Sequence, residues 1–110
     1  MADAGEVLVR FDRPFEVWVY AVGHRQLLLR SVKSDTWTTR VDVLYKDVQA
    51  MMLHPQIPRL VLERASKDET REFSAALGRT EVDVYVVSRE PLLLVAADGA
   101  FWCEDEGELL

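Results

Sequence analysis

Six side chains in this chain of 110 residues invite a chemical reading: Glu16, Asp42, Asp83, His24, His54 and Cys103. The three acids fall inside strand-like runs. An acid buried in a sheet keeps its proton to higher pH and can act as a general acid or base, whereas one on the wet face needs no such role. No second carboxylate stands at a diagnostic spacing, and no nucleophile–base pair starts a catalytic constellation. The two histidines lie beside turn residues. With Cys103 they are separated by 30 and 49 positions, which matches no compact zinc pattern. Cys103 is followed by Glu104 and Asp105, and neighbouring carboxylates disfavour a thiolate. It is expected as a small buried or half-buried residue of the last strand. The phosphate-cradling, nucleophile-elbow and zinc-protease motifs are missing, and the five glycines are too dispersed to form a phosphate loop. The expectation is a protein without catalytic residues, metal ligands or cofactor.

Binding chemistry is better represented. Trp18 and Tyr20 share one face of the run Phe15 to Val22, either as an exposed pair that anchors a partner or as core beneath a helix. Trp37 lies in a polar loop, as a contact residue or as a lid on the core. Glu104, Asp105 and Glu106, with Glu108, give the chain an acidic end. They account for most of its net charge of −6, leaving residues 1–103 at −2. That end is either solvated or docked on a basic partner, with Leu109 and Leu110 as apolar anchors. Arg13, Arg25, Arg30 and Arg40 lie in one half of the chain and could be folded into a positive patch. The overall charge sign nevertheless disfavours capture of nucleic acid or an anionic membrane.

These residues must be positioned by the elements around them. Phe15 to Lys46 reads as three strand-like runs separated by turn signals. Gly23-His24 marks the first turn, where glycine tolerates a positive φ. Thr39 to Lys46 alternates cleanly between apolar and polar residues, as a half-buried antiparallel strand does. The run Phe15 to Val22 is apolar on both faces, which predicts a central strand covered on two sides. Val7 to Phe11 and Glu81 to Ser88 are further strands, and Arg59 to Ala65 is a strand or a helix. Asp47 is expected to cap a short helical turn through Met52, with Met51 and Met52 as core filler. The two prolines in His54 to Pro58 predict a loop. Ser66 and Glu69 form a capping box ahead of Phe73, Ala76 and Leu77, with Gly78 at the C-cap; the spacing predicts a helix over Lys67 to Leu77. Leu92 to Ala96 and Ala100 to Cys103 flank Asp98-Gly99, the signature of a hairpin.

The fold class expected is α+β, with an antiparallel twisted sheet of five to seven strands and one packed helix; a small β-barrel or sandwich capped by the helix is the alternative. Residues 1–103 are expected to form a single domain and 104–110 an acidic tail. No run is apolar enough for a leader peptide or a bilayer span, and a lone cysteine allows no internal disulfide; a cytoplasmic location fits. The function expected is a non-enzymatic protein-interaction module, such as an adaptor, an assembly subunit or an acidic inhibitor-type partner. Its contacts would be Trp18, Tyr20, Trp37, Glu104, Asp105 and Glu106, and its partner another protein. A homodimer through an edge strand or through Trp18 and Tyr20 is a further possibility. Two alternatives stand beside this reading. One is a small-ligand domain with a cavity between sheet and helix lined by Tyr45, Tyr85, Met51 and Met52. The other is a small acid/base enzyme using Glu16, Asp42 or Asp83.

Overall fold

A computed structural model describes residues 5–79 and 82–106. Leu109, Leu110 and Glu108, and the Glu81 end of one expected strand, lie outside the described residues. The chain folds as α+β, and the described residues form two five-stranded antiparallel sheets and one helix. Sheet 1 has the order β1 (Glu6–Phe11), β7 (Leu60–Arg64), β8 (Val84–Arg89), β9 (Leu92–Ala96), β5 (Ala50–Met52), and sheet 2 the order β10 (Gly99–Asp105), β4 (Arg40–Lys46), β3 (Gln26–Ser31), β2 (Phe15–Ala21), β6 (Gln56–Ile57).

The meander expected from Phe15 to Lys46 forms the centre of sheet 2. Strands β2 (Phe15–Ala21), β3 (Gln26–Ser31) and β4 (Arg40–Lys46) are successive antiparallel neighbours. The turn after β2 departs from expectation at its left-handed residue, which is Arg25, at φ 49°, rather than Gly23. Amide bonds from His24 to the Ala21 carbonyl and from Arg25 to the Val22 carbonyl make two overlapping turns. A four-residue hairpin loop of this kind reverses direction at its last residue.

Alternation fixes where the core lies. Leu27, Leu29, Val41, Val43 and Tyr45 of sheet 2 are wholly buried against Leu60, Leu62, Tyr85, Val87, Leu93 and Val95 of sheet 1. Each such side chain contributes roughly 1.5–3 kcal/mol on leaving water. The doubly covered strands are β8 (Val84–Arg89) and β9 (Leu92–Ala96), not β2. Val84, Val86, Leu94 and Ala96 face the helix while Tyr85, Val87, Leu93 and Val95 face sheet 2. A cis Glu90-Pro91 bond joins them.

The helix α1 (Lys67–Ala76) begins in a complete capping box. Ser66 Oγ accepts from the Glu69 amide at 3.1 Å, and the Ser66 amide donates to Glu69 Oε1 at 3.3 Å. Gly78, at φ 72°, follows the C-cap Leu77. The packed stripe is Phe73, Ser74 and Leu77 rather than Phe73, Ala76 and Leu77; Ala76 is exposed. An arginine fastens the helix to sheet 1. Arg89 Nη1 donates to Glu69 Oε2 at 2.6 Å while Nη2 donates to Glu63 Oε2, on β7 (Leu60–Arg64), at 2.5 Å.

Several connections differ from expectation. Asp47 adopts φ 53° and turns the chain into the short strand β5 (Ala50–Met52), which pairs with β9. No helical turn forms there, because the Gln49 amide bonds the Ala96 carbonyl and commits the segment to a ladder. Val48 is buried, but Met51 and Met52 are exposed. Between the prolines, Gln56–Ile57 is a two-residue strand, β6, held against Phe15 and Glu16. The Asp98-Gly99 signal does not close a hairpin. β9 stays in sheet 1 and β10 (Gly99–Asp105) crosses to pair with β4 in sheet 2. Both neighbour positions of β9 are already taken, by β8 and β5. β1 (Glu6–Phe11) likewise belongs to sheet 1, so Asp12-Arg13-Pro14 is a crossover between layers. Among the described residues, no helix is long and apolar enough to cross a membrane.

Two outcomes follow. Tyr45 is wholly buried, its ring edge-on to Tyr85 at 6.0 Å, and its hydroxyl has no hydrogen-bond partner. Burial, then the neighbouring Tyr85, pushes its pKa up. Tyr45→Phe removes an unsatisfied polar group and is expected to raise stability by about 1 kcal/mol, read as a higher urea midpoint. The bonds from Arg89 hold the Glu69 carboxyl below its ordinary 4.5. Its contribution is therefore complete above the unfolded-state value and lost as pH falls through the lower folded-state value. Glu69→Gln is expected to cost about 1 kcal/mol at neutral pH. In urea titrations that gap should narrow as the pH drops below about 4.5.

Candidate interaction face

Sheet 1 packs against sheet 2 on one side and carries α1 over part of the other, whereas among the described residues no element lies over the outer face of sheet 2. The alternation that buries Leu27, Leu29, Val41 and Val43 turns Leu28, Arg30, Arg40, Asp42 and Leu44 outward. Register then assembles rows across the strands. Phe101, Leu44, Leu28 and Val19 form one, and Cys103, Asp42, Arg30 and Glu16 form the next.

A bulge decides the fate of the aromatic pair on β2. The register between β2 and β3 slips between Val17 and Val19, leaving Trp18 as the extra residue. A bulge puts two residues opposite one and breaks the two-residue alternation. Val17 and Tyr20 therefore both pack toward the core, while Trp18 and Val19 are exposed at 45% and 48%. Tyr20 is half-buried core and does not stand beside Trp18 on the outer face. Trp18 instead lies beneath Arg30, whose guanidinium carbon is 5.0 Å from the ring centroid.

A chain of charges crosses the centre of this face. Arg30 grips Asp42 with two bonds, Nε to Oδ1 at 2.8 Å and Nη2 to Oδ2 at 3.2 Å. Arg40 Nε lies 3.5 Å from the same carboxylate, and its Nη2 lies 3.5 Å from Asp105 Oδ2. Nε and Nη1 of Arg40 are buried and make no hydrogen bond, so this residue holds donor capacity it does not use. Of the acids considered for catalysis, Asp42 is thus a structural anion between two arginines, while Glu16 and Asp83 are exposed.

Trp37 sits apart, at one end of the sandwich. Ser34 Oγ accepts from the Thr36 and Trp37 amides and tightens its loop. The half-buried indole lies against Arg13, whose guanidinium carbon is 5.3 Å from the ring centroid. Arg13 is only 6% exposed. It donates to Ser31 Oγ at 2.7 Å, Thr39 Oγ1 at 3.1 Å and the Thr39 carbonyl at 2.7 Å. Desolvation lowers its pKa, and Glu104, 3.9 Å away, opposes that shift. Glu104 also accepts from Thr39 Oγ1 at 2.6 Å. Glu104 and Asp105 therefore belong to β10 and not to a tail, which among the described residues leaves only Glu106 beyond the strand.

Each of the four arginines that could have formed a positive patch has an acid beside it: Arg13 with Glu104, Arg25 with Asp47, Arg30 with Asp42, and Arg40 with Asp42 and Asp105. His24 and His54 are exposed, and among the described residues no three metal-ligating side chains cluster. A cleft of about 480 Å³ does lie beside α1, lined by Thr70, Arg71, Ser74, Arg79, Asp83 and Asp98 among others. Tyr45, Tyr85, Met51 and Met52 do not line it; the tyrosines fill the core between the sheets and the methionines face water.

Phe101, Trp102 and Cys103, all exposed, complete the face and its rim. Adjacent strand residues point to opposite faces, so Phe101 and Trp102 could both be buried only if β10 were covered on both sides. That signal was available in the sequence.

Arg13→Met should remove at least three bonds from a buried cation and leave the Thr39 carbonyl unpaired. A loss of about 3 kcal/mol is expected, measured by chemical denaturation, with a red shift of Trp37 fluorescence as the indole loses its neighbour.

Comparison with protein families, with curated proteins and with solved structures finds no match to this chain.

Proposed function

We propose that this protein is a non-enzymatic interaction module, an adaptor, assembly subunit or acidic inhibitor-type partner, that grips another protein with the outer face of sheet 2. One observation carries the reading: among the described residues no element covers the outer face of sheet 2, and that face presents Trp18 and Phe101 at 45% and 53% exposure. Exposed aromatics beside apolar neighbours are characteristic of binding hot spots. Trp18, backed by Arg30, is the anchor. Leu28, Leu44 and Phe101 supply apolar area around it.

Glu104, Asp105 and Glu106 lie at the rim, where charge steers encounter more than it adds affinity. A partner basic at the matching rim fits them. Trp37 and Tyr20 act indirectly, by packing the loop and the core that hold β2 and β10 in place. Glu16 and Asp83 in open solvent, and Asp42 locked between arginines, favour binding over acid/base catalysis. An exposed, free Cys103 fits work in a reducing compartment such as the cytoplasm.

The experiment is quantitative affinity capture with the full chain, comparing wild type, Trp18→Ala and the off-face control Val22→Ala. Trp18→Ala should weaken retention of the specific partner about thirty-fold, the equivalent of about 2 kcal/mol, and the control should not. Equal retention by all three proteins would rule out this face as the contact.

A further inference from the structure

The two sheets have four edges, and three of them are blunted. β1 carries a bulge between Val7 and Val9. β5 has three residues. β6 has two, set between Pro55 and Pro58. Short strands, bulges and prolines are the usual protections against unwanted pairing. The fourth edge, β10, has none of these three, and its charges, Glu104 and Asp105, are confined to one end. It runs for seven residues in unbroken register with β4, contains no proline or lysine, and exposes Phe101 and Trp102 at its centre.

We infer that β10 is the contact between two copies of this chain, paired antiparallel about a two-fold axis at Trp102, so that the two copies of sheet 2 form one continuous sheet.

The register follows from geometry. Directly opposed residues must share a face, so a two-fold axis normal to the sheet has to pass through a residue paired with its own copy. Centring on Trp102 engages every residue of Gly99–Asp105. Phe101 then opposes Cys103 of the second copy, Ala100 opposes Glu104, and Gly99 opposes Asp105. Centring on Cys103 would set Phe101 against Asp105 and Trp102 against Glu104, which buries acids beside aromatics.

Charge selects a second copy in this orientation. The acids occupy one end of β10, and Lys46 stands in register with Gly99 at the other. Lys46 already lies over Phe101, with Nζ 5.1 Å from the ring centroid. Antiparallel pairing brings Asp105 of one copy into the row of Gly99 and Lys46 of the other. It also keeps the two acidic ends about 20 Å apart, the length of six strand steps. Glu106 of one copy comes near Asp98 of the other just beyond the paired segment, where both carboxylates face water. The pairing concerns the edge of sheet 2 and stands whatever docks on its outer face, which it would double in extent.

Two measurements on the full chain test the pairing. Sedimentation equilibrium across a concentration series should give a species of twice the chain mass, with hydrogen exchange of the β10 amides slowing as that species forms. Trp102→Cys combined with Cys103→Ser places two thiols on the axis, within the 4.4–6.8 Å Cα spacing of a disulfide, and should yield a covalent dimer under mild oxidation. Native Cys103 lies about 8 Å from its counterpart in this register and should not. A chain that stays monomeric throughout overturns the inference, even if a strand of another protein binds the edge. So does a dimer in which native Cys103 cross-links and the Trp102→Cys variant does not, or in which β10 exchange is independent of concentration.

Discussion

Strict alternation along β3 and β4 is the constraint on which the rest of the molecule depends. Burying Leu27, Leu29, Val41, Val43 and Tyr45 completely leaves no freedom in where Arg30, Asp42 and Leu44 go. A slip of one residue would place both charged groups between the sheets and the leucines in water. The bidentate Arg30–Asp42 pair joins the two strands across the opposite face. The same register that makes the core therefore builds the surface, and β10 inherits it through its ladder with β4.

Two local departures from regularity give the surface its character. The bulge at Trp18 sends a large aromatic outward from a strand whose composition suits a core. The crossover at Asp12-Arg13-Pro14 carries a buried guanidinium to the end of the sandwich, where backbone carbonyls, hydroxyls and Glu104 satisfy it. Glu104 is thereby held to the fold through Arg13 and Thr39. An acidic segment that composition alone marks as solvated becomes the last two residues of a strand. Its remaining charge lies at one rim of an otherwise apolar and internally neutralised face.

The layers also explain why one sheet is bare. α1 is short and covers part of sheet 1, packing over Val84, Val86, Leu94 and Ala96. Its capping box and the Arg89 clamp fix it there, and among the described residues no second helix is available for sheet 2. Apolar area on that sheet is consequently left at the surface, concentrated along the row from Val19 to Phe101.

What the sequence determined by itself was local. The three-strand meander from Phe15 to Lys46 was legible because period-two alternation and turn residues act within a few positions. The helix was legible because Ser66, Glu69 and Gly78 satisfy its ends by short-range bonds. Tertiary structure decided which sheet each strand joined, and hence that Asp98-Gly99 is a crossover, that Met51 and Met52 face water, and that β8 and β9 are the strands covered twice. It also decided that Trp18 is exposed and Tyr20 is not. Alternation tells a strand that it has two faces. Which face is buried, and against which neighbour, depends on contacts far apart in the chain, and a bulge that inverts the pattern leaves no mark in residue type.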